Sequence, residues 1–275
     1  LAAREPEYSR LCATIEKDFY REGKFNRFIA PELQLGTLGG GNHFIEIDRN
    51  EAGELFILIH SGSRNFGMKV AEFFQKKAKV ATLKAKVLVA TGSEFLPMKA
   101  GGNEYLKWAQ IAQTFARFNR QAMLLLMLDY LNVSYEEKFF IESVHNYISS
   151  SDQIVRKGAI SARIDERVVI PLNMADGTIL GRGKSNPAYN FSAPHGAGRV
   201  HGRKEMFRML DAGTLSMLQF RQSMSHVFTT SVSRGTIDES KFAYKSFDDI
   251  KEFLAETVTI EERLTPVYNL KAGGD

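Results

Sequence analysis

Four glycines fall within six residues in Gly36-Thr37-Leu38-Gly39-Gly40-Gly41. They break regular structure there and open backbone conformations that other residues reach only with strain. The chain leaves this turn as Asn42-His43-Phe44-Ile45-Glu46-Ile47, which partly alternates and reads as a strand. In a regular strand His43, Ile45 and Ile47 face one way and Asn42, Phe44 and Glu46 the other. A site that uses Asn42, His43 and Glu46 together therefore needs a bend or bulge near His43, which the adjoining glycines permit. Leu55 to His60 is short and almost wholly apolar, the pattern of a buried strand, and it closes on a histidine.

Helical periodicity takes over next. Val70, Phe73, Phe74 and Ala78 share one face of a helix predicted over 66–86, and Ile111, Phe115, Phe118 and Ala122 one face of a helix over 105–131. Glu5 to Glu22 reads as a polar helix. Phe139 to Val144 reads as a strand leading into His145, and Val168 to Ile170 as a strand stopped by Pro171. Leu172 to Gly202 is loop-rich. Glu205 to Leu210 and Phe247 to Val258 read as helices, the second with Ser246 as N-cap and two aspartates in its first turn. No linker interrupts this order, so the expectation over 1–275 is a single mixed α/β domain with strands carrying histidines and helices flanking them.

At 44% hydrophobic and 25% charged residues, the composition is that of a globular protein. Cys12 is the only cysteine, which excludes a disulfide framework and points to a reducing, cytoplasmic setting. The longest apolar run, Ala122 to Leu128, is far short of the roughly 20 residues that span a bilayer. A net charge of +4 leans mildly toward polyanionic partners.

Four histidines occupy telling positions. His43 opens a strand, His60 and His145 close strands, and His195 sits in Ser192-Ala193-Pro194-His195-Gly196-Ala197-Gly198-Arg199. A lone histidine is most simply a core or loop residue with its hydrogen bonds met, and that reading stands for His201 and His226. Imidazoles at strand ends, however, can converge on one rim and share a metal: zinc, manganese, iron, copper or nickel. Small residues around His195 leave room for a bulky phosphoryl adduct. Gly39 to Gly41 would let backbone approach a phosphate or a base, and Arg199 and Lys271 would offer charge to phosphates.

Taken together, these segments resemble the RtcB-type RNA ligase family. Gly36 to Glu46 looks like the first signature of that family, and His60-Ser61-Gly62-Ser63-Arg64 like the second. His145-Asn146 with Arg156-Lys157-Gly158-Ala159 looks like the third, and Ser192 to Arg199 like the fourth. Asn119-Arg120 matches as well, and the order and approximate spacing fit from about Gln34 to the end. The resemblance implies the RtcB-like fold. It implies an enzyme that joins an RNA 3′-phosphate or 2′,3′-cyclic phosphate to a 5′-hydroxyl, as in tRNA splicing or RNA repair, using GTP and Mn2+. It further implies that His195 is the guanylylated nucleophile and that His43, His60 and His145 bind the metal. The nucleotide would be met by Asn42, His43, Phe44, Ile45, Glu46, His145, Asn146, Pro171, Leu172, Asn173, Met174, Thr178, His195, Gly196, Ala197, Gly198 and Lys271. An accessory protein is a further implied partner.

The sequence departs from the family pattern in three places. The family's N-terminal aspartate–cysteine metal motif has no match, and Cys12 lies in a polar helical context. The expectation is that this metal-binding portion lies outside the present sequence. Asn173 and Thr178 stand where the family usually has serines, and the end reads Asn269-Leu270-Lys271-Ala272 in place of lysine–glycine. The changes suggest a divergent subfamily. Two alternatives accompany this reading: a guanylyltransferase that caps nucleic-acid 3′-phosphates without sealing, and a catalytically weakened RNA-binding relative.

Overall fold

The computed structural model of this chain describes residues 5–23, 25, 28–149 and 151–272. They form a mixed α/β structure whose contacts cluster in two compact units. One unit comprises the residues up to Thr37 together with Ser61–Tyr135; the other comprises Leu38–His60 and the chain from Glu136 onward.

The first unit is helical. Helix α1 (Glu5–Thr14) continues through a wider π-helical segment (Ile15–Arg21), and α2 (Arg64–Lys84) and α3 (Gly102–Tyr130) follow. Their apolar stripes meet in an aromatic core that includes Phe19, Tyr20, Phe66, Phe74, Trp108 and Phe115. Phe19 alone lies within 6 Å, ring centre to ring centre, of Tyr20, Phe25, Phe66, Phe73 and Trp108. Such edge-on and tilted pairs add about 0.5–1.5 kcal/mol each beyond area burial. Cys12 is fully buried here, and burial pushes its thiol up to about 12, so it is an inert core residue.

The second unit is built on an antiparallel sheet. Its strands are β1 (Phe44–Arg49), β2 (Leu55–His60), β6 (Arg167–Asn173), β7 (Gly177–Gly183) and β10 (Val258–Leu270), in the order β2-β1-β10-β7-β6. Short pairs are added by β3 (Asn146–Ile148) with β4 (Val155–Lys157) and by β5 (Ala159–Ser161) with β8 (Ser192–Pro194). Helices α4 (Arg203–Asp211) and α5 (Met217–Ser223) precede β9 (Phe228–Thr229), which pairs parallel with β10, and α6 (Phe247–Thr257) packs Ile250 and Leu254 against Ile170, Ile179 and Val258. Ser246 caps α6 as expected, its hydroxyl accepting from the Asp249 N–H.

Several sequence expectations are corrected. Leu55–His60 is a strand but not a buried one: it is the sheet's edge, and Leu55 is 65% exposed. The strand expected over 139–144 is absent, because the Ser143 hydroxyl, not a backbone carbonyl, takes the Val169 N–H at 3.0 Å. His145 therefore precedes a strand and does not close one. Pro171 does not stop β6. That strand lies at the opposite edge, where a missing N–H costs no ladder bond, and a bulge sits between Pro171 and Asn173. The bend expected near His43 is present as the turn at Gly41–Asn42, with Gly41 at φ +75°, and β1 has a further register shift at Ile47/Asp48 against β10. The loop-rich reading of 172–202 missed β7, whose glycines obscure it. At Gly181 a side chain would lie 2.5 Å from the Thr259 carbonyl, so close strand approach requires glycine.

Asn119, fully buried on α3, fixes the signature loop after residue 60. Its carbonyl oxygen accepts from the Thr37 N–H at 3.1 Å, and its amide donates to Thr37 O, Ser61 Oγ and Gly62 O at 3.0–3.2 Å. Removing that amide costs the buried Ser61 hydroxyl one partner and breaks the three bonds to Thr37 and Gly62, and a lost partner in a buried setting costs about 1–3 kcal/mol. Asn119→Ala should lower the unfolding free energy by about 2–4 kcal/mol in denaturant titration; a loss under about 1 kcal/mol would contradict this role.

Candidate active site

The second unit brings two of the sequence signatures, the third and the fourth, together through one residue. Val155 to Ser161 runs as two short strands joined at Gly158, whose φ is +67°. On one side β4 pairs with β3, the strand that follows His145; on the other β5 pairs with β8, the strand that leads to His195. The two imidazoles consequently stack, with ring centres 4.6 Å apart and planes 23° from parallel. The Gly158 N–H donates to the His145 carbonyl at 2.8 Å and lies 3.0 Å from Asn146 Oδ1. The Gly158 carbonyl lies 2.6 Å from His195 Nδ1. A side chain at 158 would press to 3.3 Å from His195 Cε1, so both the positive φ and the neighbouring ring demand glycine.

A carbonyl oxygen only accepts. His195 Nδ1 must therefore carry the proton in this contact, which leaves Nε2 with its lone pair free. That is the tautomer a nucleophilic histidine needs. Buried Ala197 follows, and Gly196 lies against the Pro171 carbonyl, where an added Cβ would stand 3.0 Å away.

The other histidines gather beside this pair. His60 and His145 face each other with Nε2 atoms 3.3 Å apart, and the His43 ring centre is 5.8 Å from that of His60. Burial, and then the charges of His145 and His43, push the His60 pKa well below the ordinary histidine range, so it is neutral near pH 7. Two nitrogens each about 2.1 Å from one ion and about 100° apart would be about 3.2 Å from each other, so His60 and His145 fit as a pair of ligands. Among the described residues no three histidine, cysteine or acidic side chains are placed to hold an ion together. His43 joins the cluster through its ring proximity to His60.

The inner face of β1 carries charge. Glu46 and Asp48, two residues apart on one face, are both at most 2% exposed. Glu46 Oε2 accepts from Asn269 Nδ2 at 2.5 Å, whereas neither Asp48 oxygen makes a hydrogen bond, and the Thr178 hydroxyl and Asn269 Oδ1 are likewise unbonded. Glu46 and Thr178 still lie near enough to Asp48 to influence its ionisation. Burial, reinforced by Asp48, raises the Glu46 pKa well above the carboxylate range, and burial pushes Asp48 up to about 6. Two such groups cannot both ionise cheaply.

Lys271 is buried too. Its ammonium donates to the His43 carbonyl at 3.3 Å and stands 3.9 Å from Glu239, and burial lowers its pKa. Arg199, expected to offer its charge to phosphates, is engaged within the protein. It donates to the Asp238 carbonyl, to Tyr244 Oη at 3.0 Å and to Glu239 at 3.4 Å. Asn173 bonds the Ala175 and Asp176 N–H groups at 3.0 Å and so shapes the β6–β7 turn. Leu172 and Met174 place their side chains in the hydrophobic cores. Asn42 lies in the turn before β1, Phe44 stacks edge-on against His60 at 5.2 Å, and Ile45 pairs with Leu270 and Ile59. Sequence reasoning missed Asp48, Asn269 and Glu239. For Asp48 a signal existed: its two-residue spacing from Glu46 in a strand.

Comparison with known proteins agrees with this arrangement of signatures. The family model described as tRNA-splicing ligase RtcB matches residues 22–272. The chain belongs to the RtcB family. It is 32% identical to an RNA-splicing ligase RtcB of Escherichia coli K12 over 90% of this chain and 64% of that protein. It is 26% identical to a tRNA-splicing ligase RtcB of Nanoarchaeum equitans over 86% of this chain and 60% of that protein. The chain thus spans under two thirds of these relatives' length. Among the described residues no helix is long and apolar enough to cross a membrane.

The buried carboxylates make stability depend on pH in a defined direction. A carboxyl whose pKa is raised by folding leaves the folded state holding more protons, so stability is full below the unfolded value and falls as pH rises through the folded one. For Asp48 that window runs from 3.8 to about 6. Asp48→Asn should raise thermal stability at pH 8 by about 1–3 kcal/mol and change it little at pH 4; equal effects at both would refute the assignment.

Proposed function

We propose that the intact protein is a GTP- and Mn2+-dependent RNA ligase of the cytoplasm that works through a guanylylated His195. The observation that carries this reading is the 2.6 Å contact between His195 Nδ1 and the Gly158 carbonyl, which leaves Nε2 as the attacking atom. Nε2 adds to the α-phosphorus of GTP; the N–P bond forms, and the bond to pyrophosphate breaks with its electron pair leaving on pyrophosphate. A 2′,3′-cyclic phosphate end is first opened by water, which adds to phosphorus as the 2′-oxygen leaves as a hydroxyl; an oxygen of the RNA 3′-phosphate then takes the guanylyl group, breaking the N–P bond and returning the imidazole. Finally the RNA 5′-hydroxyl attacks the activated 3′-phosphate, loses its proton and releases GMP.

The histidine cluster supports a metal partner for this chemistry. His60 and His145 would hold manganese through Nε2, with His43 as the third member of the set. When bound, the ion would offset charge on the triphosphate and orient it. Lys271, whose ammonium meets the His43 carbonyl, and Glu46, buried on β1 within electrostatic reach of Lys271, would meet the nucleotide, as would the backbone around Asn42, Asn146 and Gly196–Gly198. The substrates are RNA carrying a 3′-phosphate or 2′,3′-cyclic phosphate and RNA carrying a 5′-hydroxyl, and an accessory protein is a compatible partner.

Incubation of the intact protein with GTP and manganese should add the mass of one GMP. His195→Ala should abolish that adduct by intact-mass spectrometry while leaving the fold unchanged. An adduct that persists in His195→Ala, or maps to a lysine, would overturn the assignment. Supplying RNA 3′-phosphate and 5′-hydroxyl ends separates sealing from capping, since capping stops at the guanylylated 3′ end.

A further inference from the structure

One buried cation in the second unit touches neither His195 nor any other histidine of the cluster, yet holds the chain on both sides of them. Arg156, 3% exposed on β4, donates through Nε to Ser192 Oγ at 2.9 Å. Through Nη1 it reaches Tyr147 Oη at 3.2 Å, and through Nη2 it reaches Asp152 Oδ2 at 3.4 Å and the Asn190 and Phe191 carbonyls at 3.5 Å. Tyr147 lies two residues after His145, and Ser192 three residues before His195. One guanidinium thus spans the strands that deliver both imidazoles.

The segment it grips is strained. Asn190 and Phe191 have φ of +50° and +52°, left-handed values that a phenylalanine adopts only when its surroundings hold it there. Both carbonyls of this pair point at Arg156. Arg163 assists from the other side, its guanidinium 4.0 Å from the Phe191 ring centre and 2.7 Å from Asp152. Directly after the strained pair comes β8, whose register against β5 sets Pro194 opposite Ala159 and brings His195 to the Gly158 carbonyl. A planar fork with several fixed donors suits this task, and a lysine's single ammonium cannot replace it.

We propose that Arg156 is a positioning residue for the nucleophile: it holds the Asn190–Phe191 turn in its left-handed form and so keeps His195 Nδ1 on the Gly158 carbonyl and Nε2 free. The proposal rests on the reading of His195 as the guanylylated residue for its catalytic consequence, but not for its structural one. Misplacement of a reacting group by about 1 Å costs about a hundredfold in rate, so a loosened turn is felt at the chemistry.

The test uses the full chain without nucleotide and then with GTP and manganese. NMR of the histidine ring nitrogens reports the His195 tautomer directly. In the wild type it should be protonated at Nδ1; in Arg156→Lys it should become a mixture of the two tautomers. Adduct formation at saturating GTP should slow by about tenfold or more, with the half-saturating GTP concentration unchanged. Phe191→Gly added to Arg156→Lys should restore much of both, because glycine needs no clamp at positive φ. A folded Arg156→Lys protein with wild-type tautomer and rate would overturn the proposal, as would a failure of Phe191→Gly to restore either. If Arg156→Lys does not fold, Tyr147→Phe, which removes the Nη1 partner and leaves the Ser192 hydroxyl on the Asn190 carbonyl, decides: a shift in the same direction supports the proposal and none refutes it. A wild type with the expected tautomer but no adduct would remove the guanylylation reading and leave the positioning role standing.

Discussion

The peptide at Gly158 organises the site. Its N–H is committed to the His145 carbonyl and its C=O to His195 Nδ1, at 2.8 and 2.6 Å. Because the residue sits at positive φ between two strands, the pairings on either side bring His145 and His195 into stacking contact. The backbone supplies an orienting acceptor of the kind that a carboxylate supplies to histidines in other nucleophilic sites, but without a charge that would need a partner. The tautomer is thus fixed by a neutral group, with Nε2 left unprotonated.

Around that peptide, burial sets the ionisation of what remains. His60 is kept neutral by burial and by the imidazoles beside it. Glu46 and Asp48 resist ionisation on the inner face of β1, while Lys271 is drawn down in pKa a short distance away. Arg199 and Arg203 both spend their charge on Asp238 and Glu239. The site therefore stores its cations in a network of paired groups rather than displaying them, and the unbonded oxygens of Asp48, Thr178 and Asn269 mark where the sheet is least satisfied.

Much of this was legible in the sequence, for identifiable reasons. Leu55 to His60 was read with its true boundaries because apolar residues run unbroken from Leu55 to Ile59 after a turn signal, and the long helices followed from apolar spacing. The motifs called for His43, His60 and His145 to converge; His60 and His145 meet at 3.3 Å, while His43 comes within 5.8 Å of His60 ring centre to ring centre. What failed were features decided by neighbours distant in sequence. Residues 139–144 have strand composition but find no ladder partner, and β6 tolerates Pro171 only because it is an edge. The 13-residue β10 went unread because Glu261, Glu262 and Arg263 interrupt its alternation, though it forms the centre of the sheet. Arg156 was visible only as part of a motif; its grip on residues 190–192 is a tertiary fact.

The central claim is that Nε2 of His195 is the atom that accepts the guanylyl group, with Nδ1 occupied by Gly158. Phosphorus NMR of the guanylylated intact protein, prepared with isotopically labelled histidine ring nitrogens, reads this directly through the coupling across the N–P bond. The account predicts a single phosphoramidate whose phosphorus couples to Nε2 of His195. Coupling to Nδ1, or to any other residue, would contradict it.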